Sequence, residues 1–173
     1  MTSDPLRDIK PLIDRVYSYV TFRLGTGPDA EDVTSEVFER AVRYRASFDP
    51  AKGEPAAWLI GIARRCIDDR RRALAEDLSD PHLDEGMSDD LDRDVVRRLE
   101  LREALEQLDD RSREILALRF TADLTARDIG ELLGLKTNTV EVAVHRSLER
   151  LRSLLDSADT PHHDASPESY PKG

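Results

Sequence analysis

Cysteine, tryptophan and long apolar runs are scarce in this chain of 173 residues. Cys66 and Trp58 are the only residues of their types, and aromatic residues make up 5% of the sequence. A single cysteine excludes an internal disulfide and a thiol-rich metal site. No apolar run approaches the roughly 18 residues of a membrane-spanning helix, and residues 1–10 lack the apolar core of a secretory signal. These absences favour a cytoplasmic protein that does not insert into a membrane.

Signatures of enzyme chemistry are missing as well. The sequence has no glycine-rich phosphate loop, and its four histidines show no metal-ligand spacing: His82, His145, His162 and His163. His162 and His163 precede Asp164, a cluster that can bind a metal, but a polar disordered tail is the simpler interpretation. We therefore expect no catalytic activity, no metal site and no cofactor.

The acidic charge is concentrated near the middle of the chain. The net charge is −10, and the stretch 76–94, EDLSDPHLDEGMSDDLDRD, contains nine acidic residues and a single arginine. Such a stretch repels itself and offers little to bury, so it predicts a flexible acidic linker over 76–98. The linker would separate two small domains, 1–75 and 99–156, and a disordered tail would follow over 157–173.

Apolar residues recur at helical spacing in both domains, and no strand-like alternation is present. The first domain predicts helices over about 6–24, 29–43 and 56–73, with Asp29 as the N-cap of the second. A loop from Tyr44 to Pro55 joins the last two. Cys66 falls on the apolar face of the third helix, as a buried structural thiol would. The predicted fold class is therefore all-α, with two helical domains.

The segment from Thr125 to Arg152 predicts a helix-turn-helix. Thr125 with Asp128 forms an approximate capping box, Gly134 can end the short helix, and a longer helix begins near Thr137. The outer face of that longer helix could then enter a DNA major groove. Its candidate contact residues are Lys136, Thr137, Asn138, Thr139, Glu141, Val142, His145 and Arg146. An ordinary helical hairpin packed in a core is the alternative.

Two charged surfaces of the first domain have both structural and functional interpretations. Asp32, Glu36 and Glu39 share one helix face, which is a solvated face or a docking site for a basic partner. The next helix carries the densest positive charge of the chain: Arg64, Arg65, Arg70, Arg71 and Arg72. These arginines either stabilise the carboxyl end of their helix through its dipole or contact phosphates along DNA.

Two segments resemble one protein family. The segment 29–72, DAEDVTSEVFERAVRYRASFDPAKGEPAAWLIGIARRCIDDRRR, is similar to region 2 of the extracytoplasmic-function (ECF) sigma factors, in the sigma-70 family of bacterial RNA polymerase. The segment ALEQLDDRSREILALRF with the following helix-turn-helix is similar to region 4 of that family. Together the similarities cover about residues 6–75 and 99–155.

The resemblance implies an alternative sigma factor that initiates DNA-templated transcription. Its partners would be core RNA polymerase (the clamp helices of the largest subunit and the flap of the second), promoter DNA and an anti-sigma factor. Asp32, Ser35, Glu36 and Glu39 would bind the clamp helices. The acidic linker would pass through the polymerase channels. The −10 element would be held as unstacked bases by Phe48, Trp58, Arg64, Arg65 and Arg71, although Phe48 and Trp58 have an alternative role as core residues. Region 4 would read the −35 element as duplex.

The sequence departs from the family pattern at four positions, one on the predicted polymerase-binding face and three in the predicted DNA-binding segments. Ser35 stands where the family usually has Gln, and Arg65 where it usually has Asn. In the recognition helix Glu141 and Ala143 replace two basic residues. Glu141 repels phosphate but can accept a hydrogen bond from cytosine. Two alternatives therefore stay open: an interaction protein that keeps the sigma fold with weakened promoter binding, and a stand-alone helix-turn-helix regulator.

Overall fold

The computed structural model describes residues 4–76 and 93–158. Within these two ranges the regular elements are helical, which confirms the predicted all-α class. The remainder of the predicted linker (77–92) and of the predicted tail (159–173) lies outside the described residues. Among the described helices none is both long and apolar enough to cross a membrane.

The N-terminal body, residues 4–76, is a bundle of three helices. Helix α1 spans Ile9–Leu24, α2 spans Pro28–Arg43 and α3 spans Pro55–Glu76. Two single 3-10 turns, Arg45–Ser47 and Pro50–Lys52, form the connection between α2 and α3. Each of the three helices packs against the other two. The apolar stripes predicted from the sequence meet at the centre of this bundle.

The core of the N-terminal body consists mainly of branched aliphatic side chains. Val16, Val37 and Leu59 come from the three different helices and have no exposed surface. Burying one such side chain contributes about 1.5–3 kcal/mol relative to leaving it exposed. Cys66 is also fully buried in this core, as predicted, and burial raises the pKa of its thiol to about 11.

The start of α2 differs from the sequence prediction. Gly27 occupies the N-cap position and Pro28 is the first helical residue, so the prediction of Asp29 as N-cap was wrong. Proline suits the first helical position because its missing N–H would have no partner there in any case. The Asp29 carboxylate does not cap the helix. It forms a salt bridge with Arg70 of α3, which connects α2 and α3.

The C-terminal body, residues 93–158, contains four helices. They are α4 Arg93–Glu106, α5 Asp110–Leu116, α6 Ala126–Leu133 and α7 Thr137–Ala158. A π-helical turn, Ala117–Thr121, extends α5. Because α4 begins at Arg93, the last part of the predicted linker is helical, and α7 includes the first two residues of the predicted tail.

The helix-turn-helix is formed by α6 and α7, as the sequence predicted. Thr125 and Asp128 make a reciprocal capping box at the start of α6. Gly134 ends α6 in the left-handed conformation, with φ of 67°, where a side chain would be strained. Gly130 is required for a different reason, because a Cβ atom at that position would lie 2.7 Å from the Leu135 carbonyl oxygen. The tight turn therefore requires a glycine inside α6.

The two bodies share one buried core, which the sequence did not predict. Ala117, Leu118 and Leu124 of the C-terminal body belong to the same apolar cluster as the three-helix bundle. The π-helical turn lies against α1, and α6 lies against α3. Arg15 of α1 donates to the carbonyl oxygens of Ala122 (2.8 Å) and Asp123 (2.6 Å). The two bodies are thus packed together in this conformation.

Candidate nucleic-acid interface

An aromatic pair lies beside a surface cavity of the N-terminal body. Phe48 follows the first 3-10 turn, and Trp58 lies in the first turn of α3. Their rings meet edge to face, with centroids 5.6 Å apart. Phe48 is 7% exposed and Trp58 is partly buried. Both side chains therefore contribute to packing, and both also line the cavity.

This cavity, hereafter the aromatic cleft, has a volume of about 600 Å³. The N-terminal body supplies most of its wall, and the rest comes from Glu131 and Leu132 of α6. Unpaired bases bind proteins by stacking on aromatic rings with positive charge nearby. Lys52 and Arg65, both exposed, supply that charge at the wall. The same wall also carries the carboxylates of Asp49, Glu54 and Glu131, so the cleft combines aromatic rings with charges of both signs.

The arginines predicted to contact the −10 strand lie in different places. Arg65 is exposed at the aromatic cleft. Arg71 is exposed further along α3 and donates to the carbonyl oxygen of Arg23 at 3.1 Å. Arg64 does not line the cleft, because its guanidinium bonds to Glu114 of α5. The structure therefore brings Phe48, Trp58 and Arg65 together and separates them from Arg64 and Arg71.

Arg64 belongs to a group of four side chains between the bodies, hereafter the Glu114 cluster. Glu114 is 9% exposed and accepts hydrogen bonds from Tyr19 (2.8 Å) and Arg64 (3.0 Å). It also pairs with Arg23. Burial raises the pKa of Tyr19, so its hydroxyl keeps the proton that it donates. One carboxylate thus joins three side chains of the opposite body.

The predicted polymerase-binding residues lie on one side of α2, hereafter the acidic face. Asp32, Ser35 and Glu39 are exposed. Glu36 is half-buried and accepts a hydrogen bond from Arg40 at 2.5 Å. Arg40 also donates to Asp69 of α3 at 3.0 Å, and this hydrogen bond raises its pKa. Three of the four residues are therefore free to meet a partner, and Glu36 helps to hold α2 against α3.

The predicted DNA-reading residues cover the N-terminal half of α7, hereafter the reading face. All eight predicted residues are exposed: Lys136, Thr137, Asn138, Thr139, Glu141, Val142, His145 and Arg146. Val140, on the opposite side of α7, is fully buried against the rest of the C-terminal body. His145 lies 3.2 Å from Glu149, one turn further on. The reading face is convex and fully accessible in this conformation.

Both bodies match family models of known proteins. Residues 9–76 match the model described as Sigma-70 region 2, and residues 98–151 match the model described as Sigma-70, region 4. These two ranges cover well over half of the chain. The chain belongs to the sigma-70 family.

Curated relatives place this sigma factor in the ECF group. It is 34% identical to the ECF RNA polymerase sigma factor SigD of Mycobacterium tuberculosis, over 88% of this chain and 76% of the relative. It is 31% identical to SigW of Bacillus subtilis, over 82% of this chain and 83% of the relative. BldN of Streptomyces coelicolor is 28% identical, and there the match spans 82% of this chain and only 56% of the relative. The chain is therefore an alternative sigma factor of the ECF type.

Two solved structures share the fold of this sigma factor. The sigma factor RpoE of Bartonella quintana, in complex with the anti-sigma factor NepR, has a TM-score of 0.66 and 20% identity over 90% of this chain and 98% of its own. CnrH, in complex with the cytosolic domain of CnrY, has a TM-score of 0.57 and 25% identity over 86% of this chain and 82% of its own. The N-terminal body is accordingly region 2, and the C-terminal body is region 4.

Sequence reasoning missed the residues that join regions 2 and 4. Arg15, Tyr19, Arg23 and Glu114 had no assigned role, and Arg64 had a different one. Their contacts connect residues that are 50–108 positions apart. No local pattern in the sequence marks such pairs.

Proposed function

We propose that this sigma factor captures the non-template strand of a −10 promoter element in the aromatic cleft of region 2. The observation that carries the proposal is the juxtaposition of Phe48 and Trp58 with the exposed Arg65 at one cavity. The aromatic rings would stack on an unpaired base, and the guanidinium would neutralise a neighbouring phosphate. Arg71 lies beyond the cleft along α3 and would contact the strand further on.

The reading face of region 4 would bind the −35 element as duplex. Thr137, Asn138 and Thr139 occupy the start of α7, where a recognition helix presents side chains to base edges. Arg146 would contact phosphate. Glu141 would accept a hydrogen bond from a cytosine amino group. We therefore expect this sigma factor to prefer a −35 sequence different from that preferred by family members with a basic residue at this position.

The acidic face of α2 would dock on the clamp helices of core RNA polymerase. Asp32 and Glu39 are exposed and have no partner in the described structure that would compete for them. Charge complementarity across such an interface raises the association rate and sets the register. The flap of the second-largest subunit would hold region 4. The sigma factor itself would do no chemistry, and it would act in the cytoplasm, where polymerase synthesises RNA.

The test begins with reconstituted holoenzyme. Core polymerase and this sigma factor are combined, and run-off transcription is measured on fragmented genomic DNA of the source organism. Discrete start sites would support the proposal and reveal the −10 and −35 preferences together. A folded sigma factor that binds no core polymerase would contradict it.

A triple charge reversal tests the polymerase interface. In Asp32→Lys/Glu36→Lys/Glu39→Lys we expect the affinity for core polymerase to fall by about 10- to 100-fold, because surface charge pairs each contribute up to about 1 kcal/mol and like charges repel. The matched control is Asp14→Lys/Glu103→Lys/Glu106→Lys, three exposed acids on α1 and α4. Equal affinities for the two triple variants would contradict the assignment of the acidic face.

A partner that inhibits this sigma factor is part of the proposal. In the solved structures of similar fold, the sigma factor RpoE is in complex with the anti-sigma factor NepR, and CnrH is in complex with the cytosolic domain of CnrY. We infer that an anti-sigma factor binds this chain and contacts its regions 2 and 4. Co-purification of the sigma factor with the product of a neighbouring gene, and loss of run-off transcription when that product is added, would test it.

A second candidate function follows from Glu141 and Ala143, which stand where the family usually carries basic residues. A protein with this reading face could bind polymerase and yet fail to recognise promoters. Binding of core polymerase without any discrete start site would favour this interaction protein over the initiating sigma factor.

A further inference from the structure

We propose that the free sigma factor is closed on itself, with α6 of region 4 masking the aromatic cleft and Glu114 holding the two regions together. The masking half of this inference rests on the proposed function of the cleft. The closure itself rests on the contacts between the two regions and can be tested separately.

The first observation concerns the opening of the aromatic cleft. Leu132 of α6 lies against α3 so closely that a Cβ atom on Gly61 would be 3.4 Å from its Cδ1 atom. A Cβ atom on Gly53 would lie 3.4 Å from Asp128 Oδ1 and 3.9 Å from Glu131 Oε2. The helix α6 therefore lies within contact distance of the cleft wall at two points. The cavity of about 600 Å³ is present with α6 in place, so α6 closes one side of the cleft and obstructs a strand that runs along α3.

The second observation is the charge arrangement of the Glu114 cluster. Arg23 and Arg64 are cations on the nucleic-acid-binding region, and both are engaged by a carboxylate of the other region. Their side chains are 17% and 34% exposed, and that of Glu114 is 11% exposed. Arg64 also donates to the carbonyl oxygen of Leu132 at 3.5 Å. The Glu114 carboxylate therefore neutralises both guanidinium groups while the two regions are packed together.

The third observation is the apolar seam behind the cluster. Ala117, Leu118, Ala122 and Leu124 are completely buried and belong to the core that region 2 shares. Separating the regions would expose these side chains to water. The closed form is therefore stable in the free protein. Binding to polymerase must supply the free energy that opens it, because a partner shifts such an equilibrium only by its preference for one state.

Glu114→Lys is the variant that should open the molecule. A cation placed against Arg23 and Arg64 converts attraction into repulsion, and leaving buried charges without a counter-charge shifts the closed-to-open ratio by about 100-fold or more. Glu106→Lys is the matched control, because Glu106 is exposed in the same region and pairs only with Arg102 of its own helix among the described contacts. Both variants have the same net charge.

The single tryptophan reports the state of the cleft. Acrylamide quenching of Trp58 fluorescence measures access to the cleft, and small-angle X-ray scattering measures the radius of gyration. In Glu114→Lys we expect both the quenching constant and the radius of gyration to rise, while Glu106→Lys matches the wild type. Adding Arg23→Glu to Glu114→Lys should reverse part of both changes. If the quenching constant and the radius of gyration of Glu114→Lys both equalled those of the wild type, the closure would be overturned.

Strand binding then tests the masking. A fluorescein-labelled, random-sequence single-stranded DNA of twelve nucleotides is titrated with each protein. Glu114→Lys should bind it more tightly than Glu106→Lys, since the two variants carry equal net charge and only Glu114→Lys opens the cleft and releases Arg23 and Arg64. Equal affinities in a variant shown to be open would overturn the masking. Failure of the proposed function would show itself elsewhere, as wild-type holoenzyme without discrete start sites.

Discussion

The aromatic cleft of region 2 and the reading face of region 4 are both candidate DNA surfaces, but they differ in shape and in accessibility in this conformation. The reading face is a convex helix surface whose eight predicted contact residues are all exposed. The cleft is concave, and its wall is completed by Glu131 and Leu132 of the other region. A duplex can meet a convex helix without any rearrangement. An unstacked base needs a pocket that excludes water, and another part of the same protein can close one side of such a pocket.

The difference implies an order of events. In this conformation the candidate surface for duplex DNA is exposed, and α6 closes one side of the candidate cleft for single-stranded DNA. On the proposed closure, strand capture would become available only when the two regions separate. Because promoter melting is useful only on polymerase, a cleft that opens there would limit unproductive binding elsewhere.

The largest expected effect is on the reading face, through the turn that positions α7. In Gly130→Ala the new Cβ atom would lie 2.7 Å from the Leu135 carbonyl oxygen, so the turn between α6 and α7 must shift. We expect a loss of about 1–3 kcal/mol in the free energy of unfolding and loss of −35 duplex binding. Thermal unfolding by circular dichroism and a duplex-binding titration measure the two effects.

The control for this prediction is the same substitution at Gly61 of α3, which faces α6. In Gly61→Ala the Cβ atom would meet Leu132 at 3.4 Å, an ordinary contact, and alanine favours a helix interior by about 1 kcal/mol over glycine. We expect Gly61→Ala to be neutral or slightly stabilising. If the two variants were equally destabilised, the tight turn at Gly130 would not be the cause.

An intermediate effect tests the cleft alone. In holoenzyme carrying Trp58→Ala we expect the open complex to be weakened by roughly 1–3 kcal/mol, the contribution of stacking one base on an aromatic ring. Fluorescence of 2-aminopurine in the non-template −10 strand measures opening. Trp58→Phe keeps a ring and should lose much less. If −35 duplex binding fell in parallel with opening, Trp58 would be acting through the fold and not through the strand.

The smallest expected effect concerns one base pair at the reading face. Glu141→Gln removes a negative charge and allows the side chain to donate as well as accept hydrogen bonds, so the preference at one −35 position should change by about 1–3 kcal/mol. Selection of bound duplexes from a randomised −35 element measures it. Glu103→Gln, an exposed acid on α4, is the control. An unchanged preference in Glu141→Gln would show that this side chain does not read a base.

Much of the secondary structure could be predicted because it depends on local chemistry. The capping box of Thr125 and Asp128 and the stop at Gly134 place α6 within a residue, since each satisfies backbone groups a few positions away. The start of α2 was misassigned because Pro28 and Asp29 both fit the beginning of a helix. Pro28 takes the first helical position, where its missing N–H needs no partner, and the Asp29 carboxylate pairs with Arg70 of α3 instead of capping α2.

The candidate sites were predictable to different degrees. The reading face follows from helical periodicity, so its residues could be identified without any knowledge of the rest of the fold. Phe48 and Trp58 were predicted as either core residues or base-stacking residues. In the structure both side chains pack against the core and both also line the aromatic cleft. Arg64 and Arg65 are neighbours in the sequence, yet a helix turns by about 100° between them. One guanidinium therefore lies at the cleft, and the other lies against Glu114.

The sequence by itself determined the two helical regions and the family, because helix periodicity, caps and turn glycines are local and the family motifs are contiguous. The tertiary structure alone decided how the two regions meet. Tyr19, Arg23 and Arg64 contact Glu114 only after both regions have folded. The free energy of a buried carboxylate depends on the charges and hydrogen-bond donors around it. That information is distributed over residues up to 108 positions apart, and so no single stretch of the chain contains it.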